Sequence, residues 1–129
     1  MIYLDSAAIV KLVHAESESQ ALRKWLDERA EVPWVSSVLA EVETFRALAR
    51  HAPSAIKRLP RVLDLIDLTE LDAAGRIVAQ AVQPAEVRSL DAIHLAAAKR
   101  AGPLVSFVTY DKRLADAART AGLPVDAPS

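Results

Sequence analysis

Short apolar segments that suit β-strands alternate along this chain with longer segments of helical periodicity. The strands are predicted at residues 2–4, 32–35, 63–68 and 104–109, with a final edge strand at 123–125. Helices are predicted at about 6–14, 18–29, 38–50, 54–59, 72–82, 89–101 and 112–121, and Pro60 is expected to kink or divide the fourth. Strands separated by helices indicate a parallel sheet covered on both faces. The sequence therefore predicts one three-layer α/β/α domain over residues 1–129, with four to five parallel strands.

The composition limits the functions open to such a domain. The chain contains no cysteine, so a metal would have to rest on oxygen or histidine ligands. No apolar run approaches the ~20 residues that cross a bilayer, and no signal peptide is visible. We therefore expect a cytoplasmic protein without a membrane partner.

Two carboxylates stand where a predicted strand ends and a helix begins. Asp5 follows the strand at 2–4 directly, and Asp111 follows the strand at 104–109. Taken alone, Asp111 is best explained as a helix N-cap. Open α/β sheets, however, bind their ligands at the carboxyl ends of the strands, so both positions are also candidate functional positions.

A helical wheel separates the two glutamates of the third predicted helix. At about 100° per residue, the apolar face is centred on Val38, Val42, Phe45 and Ala49. Glu41 falls inside that arc, so it is predicted to point into the protein, where a carboxylate needs a partner. Glu43 falls on the far side and is predicted to be an ordinary surface charge.

Asp91 and His94 are the only polar side chains within residues 90–98, a helix so apolar that we expect it to be buried. An aspartate in the first turn after a serine cap compensates the helix dipole, and this explanation of Asp91 is as good as a functional one. We predict that His94, one turn later, is a satisfied core residue rather than a ligand.

Parallel topology can bring four carboxylates together. Right-handed crossovers place the carboxyl ends of neighbouring strands at one edge of the sheet, where Asp5, Glu41, Asp91 and Asp111 can converge. Such a group repels itself unless cations neutralise it. Oxygen ligands favour Mg²⁺ or Mn²⁺, which can turn a bound water into a nucleophile and stabilise a phosphoryl transition state.

Two hydroxyl residues adjoin these carboxylates. Ser6 follows Asp5, and Thr109 lies two residues before Asp111. Ser6 has no obvious base, so a Ser–His–Asp nucleophile is not indicated. We expect both hydroxyls to orient a carboxylate or a water.

A basic zone interrupts the even charge distribution of a chain whose formal net charge is -1. No acidic residue occurs between Thr44 and Leu63, while five cationic residues do: Arg46, Arg50, Lys57, Arg58 and Arg61. Such a zone can hold phosphates. A solvated helix pair with counter-charges from elsewhere is an equally good explanation.

The chain resembles PIN-domain ribonucleases, and most closely the VapC-type toxins of bacterial type II toxin–antitoxin pairs. Four ordered segments carry the resemblance: 3–7 (YLDSA), 37–43 (SVLAEVE), 89–98 (SLDAIHLAAA) and 108–114 (VTYDKRL). It implies an acidic site in which Asp5, Glu41 and Asp91 hold Mg²⁺ or Mn²⁺, directly or through water, and Asp111 completes the shell or positions the attacking water.

The same resemblance implies more than the site. It implies a flavodoxin-like strand order of 3-2-1-4-5 and endonucleolytic cleavage of RNA that leaves a 5′-phosphate. It also implies a homodimer and inhibition by a small VapB-type antitoxin, for which the basic zone could be a docking surface instead of a grip on RNA.

Other readings are less consistent with the residues. A non-catalytic PIN-fold module that binds RNA or a protein would not need all four carboxylates. A haloacid-dehalogenase-like phosphatase would need a second aspartate where Ala7 stands. Nucleotide-binding folds would need a glycine-rich loop, which three scattered glycines cannot supply.

Overall fold

A fully parallel five-stranded sheet forms the centre of the computed structural model, which describes residues 1–129. The strands are β1 (Ile2–Leu4), β2 (Trp34–Ser37), β3 (Ile66–Thr69), β4 (Ser106–Val108) and β5 (Val125–Asp126). Their spatial order is β3-β2-β1-β4-β5, and every neighbouring pair is parallel. The predicted strand order is therefore confirmed.

Seven α-helices connect and cover these strands. They are α1 (Ser6–Val13), α2 (Ser19–Asp27), α3 (Val38–His51), α4 (Leu59–Leu63), α5 (Ala73–Gln80), α6 (Ser89–Arg100) and α7 (Lys112–Thr120). A 3₁₀ turn, Pro53–Arg58, precedes α4, and Pro60 lies in the first turn of α4, where the missing N–H costs nothing. None of the helices combines the length and the hydropathy that a membrane-spanning segment requires.

β2 begins and ends two residues later than predicted, because two serines belong to the strand. The hydroxyl of Ser36 donates to the carbonyl of Leu4 at 2.6 Å, so this polar residue is satisfied inside the sheet. Ser37 ends the strand and also caps α3, since its hydroxyl accepts a hydrogen bond from the N–H of Leu39 at 3.1 Å.

Alternation along β1 divides the core into two layers. Ile2 and Leu4 belong to the larger apolar cluster, which α1 to α4 cover. Tyr3 points to the opposite face, where it joins Leu95 of α6 and Leu114 of α7. Each fully buried side chain of this size contributes roughly 1.5–3 kcal/mol of transfer free energy. The three-layer prediction is confirmed.

The predicted orientation of α3 is wrong. Its buried face consists of Ala40, Thr44 and Leu48, whereas Val42 and Phe45 are 55% and 50% exposed. Small side chains let α3 pack against α1, and the hydroxyl of Thr44 is satisfied by the carbonyl of Ala40 at 2.7 Å. A wheel weighted by hydrophobicity cannot detect such a contact, because the two buried positions that set it are an alanine and a threonine.

Asp72 ties α5 to α6. Its carboxylate caps α5 by accepting a hydrogen bond from the N–H of Gly75 at 2.8 Å and pairs with Arg100 at 2.6 Å. The bond from the Gly75 N–H and the Arg100 guanidinium hold the pKa of the Asp72 carboxyl below its usual range.

We therefore expect the stabilising effect of the Asp72 charge to disappear in acid. A carboxyl with a lowered pKa in the folded state stabilises the fold fully above its ordinary pKa, and the contribution is lost as pH falls through the folded pKa. Asp72→Asn keeps a capping side chain but removes the charge. Melting temperatures of wild type and variant should differ at about pH 6, and the difference should shrink as pH falls below the ordinary pKa of an aspartate. A constant difference would contradict this assignment.

Candidate active site

Asp5 lies at the carboxyl end of the central strand and is 3% exposed. It caps α1 by accepting a hydrogen bond from the N–H of Ala8 at 2.8 Å, and the hydroxyl of Thr109 donates to its other oxygen. Burial raises the pKa of the Asp5 carboxyl, although these two hydrogen bonds act in the opposite direction. No cationic side chain forms an ion pair with Asp5, so its charge lacks a direct counter-ion.

Thr109 connects Asp5 to Asp111 at the end of β4. The N–H of Asp111 donates to the Thr109 hydroxyl oxygen at 3.1 Å, while the Asp111 carboxylate caps α7 through the N–H groups of Arg113 and Leu114. Burial acts to raise the pKa of Asp111, but the two N–H groups and Arg88 outweigh it and hold that pKa below its usual range. The predicted cap is confirmed, and it lies beside Asp5.

Arg88 forms ion pairs with both Asp91 and Asp111, and it was not among the site residues predicted from the sequence. Its Nη2 lies 2.8 Å from Asp91 and 3.2 Å from Asp111. The spacing of Arg88 and Asp91, three residues apart at a helix start, was the available signal. The guanidinium supplies part of the positive charge that two neighbouring carboxylates require.

The two glutamates of α3 exchange their predicted positions. Glu43 is half-buried and accepts hydrogen bonds from the Ser6 hydroxyl at 2.5 Å and from Nε2 of His94 at 2.7 Å. Burial acts to raise the pKa of Glu43, but these hydrogen bonds outweigh it and hold that pKa below its usual range. Glu41 is exposed beside Phe45. Both predictions are wrong because α3 is rotated relative to its apolar stripe.

His94 is buried, and both of its ring nitrogens are satisfied, as predicted for a core histidine. Its Nδ1 lies 2.6 Å from the hydroxyl of Tyr3, whose ring stacks on Phe107 with centroids 4.8 Å apart. Burial raises the pKa of the Tyr3 phenol far above its usual range. The sequence did not reveal that the other partner of this histidine is Glu43.

The structure thus links Asp5, Glu43, Asp91 and Asp111 through Thr109, Arg88 and the α1–α3 contact. No group of three or more histidine, aspartate or glutamate side chains is arranged to coordinate a metal ion. The chemistry of the donor set nevertheless fits Mg²⁺ or Mn²⁺, because every donor is a carboxylate oxygen. Asp5 is buried without a cationic partner, and Asp91 and Asp111 share a single guanidinium, so a cation nearby would stabilise the ionised form of these carboxylates.

Ser6 and Thr109, the two hydroxyl residues expected to orient a carboxylate or a water, each contact a carboxylate. Ser6 donates to Glu43, and Thr109 donates to Asp5. Their role in orienting a reacting group stays a prediction.

All five residues of the basic zone are exposed, and none forms an ion pair with a carboxylate. Arg58 also has a structural contact, because its Nε donates to the carbonyl of Val13 at 3.1 Å. The five cations therefore have no carboxylate within ion-pair distance, although Glu41 and Asp64 line the same groove as Arg46.

An apolar groove runs between α3 and α4 next to the basic zone; we call it the α3–α4 groove. Its lining includes Val42, Phe45, Ile56, Leu59 and Leu63. Its charged rim consists of Glu41, Arg46 and Asp64. Exposed apolar patches rimmed by charge are typical of protein interaction sites.

Comparisons with known proteins agree with this architecture. Ribonuclease VapC35 of Mycobacterium tuberculosis (strain CDC 1551 / Oshkosh) is 48% identical over 131 residues, covering 99% of this chain and 97% of that protein. The crystal structure of the Mycobacterium tuberculosis sarcin–ricin loop cleaving toxin VapC20 matches with a TM-score of 0.75 and 17% identity over 99% of this chain and 100% of that one. VapBC2 from Rickettsia felis, bound to a DNA fragment from their promoter, matches with a TM-score of 0.72 and 13% identity over 100% of both chains.

The family model for the PIN domain matches residues 2–120, a span that is nearly the whole chain and contains the carboxylates described above. Together with the nearly full-length relative at 48% identity, this match shows that the chain belongs to the PIN-domain family.

Proposed function

We propose that this protein is a metal-dependent endoribonuclease and the toxin of a toxin–antitoxin pair. The observation that carries the proposal is the gathering of Asp5, Glu43, Asp91 and Asp111 at the carboxyl edge of the sheet. The ribonuclease VapC35 and the sarcin–ricin loop cleaving toxin VapC20 support the choice of RNA as the substrate.

We assign the metal to Asp5, Glu43 and Asp91, with Asp111 completing the shell. Glu43 replaces Glu41 in this set because it faces Ser6 next to Asp5, whereas Glu41 faces solvent beside Phe45. A bound Mg²⁺ or Mn²⁺ would neutralise these carboxylates, activate a water and stabilise charge on the scissile phosphate.

The chain's own residues orient the reacting groups. Thr109 and the N–H of Ala8 hold the Asp5 carboxylate against the sheet edge, so this side chain is preorganised. The lowered pKa of Asp111 keeps it ionised near neutral pH, where it can position the attacking water. The Arg88 side chain is 52% exposed, so its guanidinium is able to contact a phosphate while it remains near the carboxylates.

A non-catalytic PIN-fold module that binds RNA or a protein is the second candidate. It is favoured by one observation, the ion pairs of Arg88 with both Asp91 and Asp111, which would satisfy these carboxylates without a metal. Cleavage of RNA separates the two candidates.

We expect Asp5→Asn and Glu43→Gln to lower Mg²⁺-dependent cleavage of RNA by more than about 100-fold, because even outer partners of a metal site cost 10–100-fold. Glu41→Gln is the matched control on the same helix and should cleave at nearly the wild-type rate. The measurement is gel-resolved cleavage with each melting temperature recorded.

Three outcomes would contradict this assignment. Wild-type activity in Asp5→Asn would remove the proposed site. Loss of activity in Glu41→Gln together with retention in Glu43→Gln would return the role to Glu41. Absence of cleavage by the folded wild type would favour the binding module.

Mg²⁺ or Mn²⁺ should raise the melting temperature of the wild type. A ligand that binds only the folded state adds about 2.7 kcal/mol of stability at one hundred times its Kd. Asp5→Asn should abolish the shift, and Glu41→Gln should retain it. An equal shift in Asp5→Asn would place the cation elsewhere, and no shift in the wild type would remove the metal from the proposal.

The proposed partner is a small VapB-type antitoxin, and we propose that it docks in the α3–α4 groove. Support comes from the VapBC2 structure of Rickettsia felis and from the exposure of Phe45 at 50% beside the free charge of Arg46. An antitoxin segment with apolar and acidic residues would bury the first and pair with the second. A homodimer is proposed as well, from the family resemblance.

Coexpression with the neighbouring reading frame should therefore yield a complex that Phe45→Glu weakens. Ile77→Glu is the matched control, because Ile77 is 66% exposed on α5 outside the groove. Copurified yield and light-scattering mass are measured. Loss of the complex only in Ile77→Glu would move the interface to α5.

Arg61→Ala, tested for binding to both RNA and antitoxin, assigns the basic zone to one of them.

A further inference from the structure

A buried hydrogen-bonded chain, Tyr3–His94–Glu43, runs from the interior of the sheet to the acidic site, and the proposed mechanism does not use its inner members. The Tyr3 hydroxyl lies 2.6 Å from Nδ1 of His94, and Nε2 lies 2.7 Å from Oε1 of Glu43. Both Tyr3 and His94 are almost fully buried, at 0% and 3% exposure. The ring of His94 is held edge-on to Tyr3.

The residues at the two ends of this hydrogen-bonded chain decide which atom donates in each hydrogen bond. Glu43, as a carboxylate, can only accept a hydrogen bond, so Nε2 of His94 must carry a proton. Burial keeps the Tyr3 phenol protonated, so its O–H is available to donate to Nδ1. A proton on Nε2 satisfies Glu43 and leaves Nδ1 facing the Tyr3 hydroxyl, whereas a proton on Nδ1 alone would set the Nε2 lone pair against the carboxylate.

Both hydrogen bonds to Glu43 reach the same oxygen. Ser6 donates to Oε1 at 2.5 Å, and His94 reaches Oε1 at 2.7 Å, while Oε2 accepts no hydrogen bond from the protein. Two fixed donors on one oxygen set the rotation of the carboxylate. They leave the other oxygen free for a ligand.

We propose that His94 is a positioning residue, locked by Tyr3 in its Nε2–H tautomer so that it and Ser6 pin Oε1 of Glu43 and present Oε2 to the acidic site. The lock stands on the Tyr3–His94 and His94–Glu43 hydrogen bonds, and its effect on the reaction rests on the proposed function. A core histidine that served packing alone would need two partners but not this direction of donation.

The lock is tested on the folded chain by ¹⁵N spectroscopy of the imidazoles. The chain has three histidines, and His51→Gln and His14→Gln assign the other two signals. A slowly exchanging proton on Nε2 of His94 should appear in the wild type. Tyr3→Phe removes the hydroxyl that faces Nδ1 of His94. In this variant we expect the proton of the His94 ring to exchange between the two nitrogens or with solvent. Tyr110→Phe loses a different hydroxyl bond, to Pro128, and should leave the His94 signals unchanged.

The positioning effect is tested on an RNA that the wild type cleaves. Tyr3→Phe should lower kcat by about 10–100-fold with little change in KM, the usual cost of losing an outer partner. His94→Gln should keep more activity than His94→Leu, because the glutamine amide can still donate near the Nε2 position. Melting temperatures show whether each variant is folded.

The outcomes are separable. An Nδ1–H tautomer at His94, with no proton on Nε2, in the wild type would overturn the lock. Wild-type kcat in Tyr3→Phe, or equal activity of folded His94→Gln and His94→Leu, would overturn the positioning role. If the wild type cleaves no RNA, the proposed function fails, and the ring signals still decide the lock.

Discussion

The buried carboxylate of Asp5 is the constraint around which this molecule is arranged. It ends the central strand, caps α1 through Ala8 and accepts a hydrogen bond from Thr109 at the end of the neighbouring strand. One side chain thereby joins two strand ends and a helix start. Because burial opposes its charge, the same carboxylate that organises the sheet edge also creates a demand for a cation.

The other three carboxylates of the site are stabilised by different kinds of contact. Asp91 and Asp111 share the guanidinium of Arg88, which sits partly in solvent. Glu43 instead receives hydrogen bonds from the interior. The solvent-facing part of the site is therefore neutralised by the guanidinium of Arg88, and Glu43 on the interior side is held by hydrogen-bond donors.

Local sequence patterns predicted the structure correctly where a single residue determines the local structure. Asp111 after a β-branched strand predicted a helix cap, and the structure confirms it with two N–H donors. The apolar helix containing His94 predicted a buried, satisfied histidine, which is also confirmed. The orientation of α3 was predicted wrongly, because exposed Val42 and Phe45 dominate its wheel. Helix rotation depends on how closely a neighbour approaches, and small residues set that distance without a strong hydrophobic signal.

The alternation of strands and helices, the strand-end positions of Asp5 and Asp111 and the lack of cysteine follow from residue order. They were sufficient for the α/β/α class, and they are the basis of the proposed oxygen-rich site at the sheet edge. Which glutamate faces that site depended on packing between α1, α3 and α6, since Glu41 and Glu43 differ by about 200° of helix rotation. Two further contacts, Arg88 with Asp111 and His94 with Glu43, likewise join distant segments. Contacts across 23 and 51 positions of the chain arise only when the sheet brings its strand ends together.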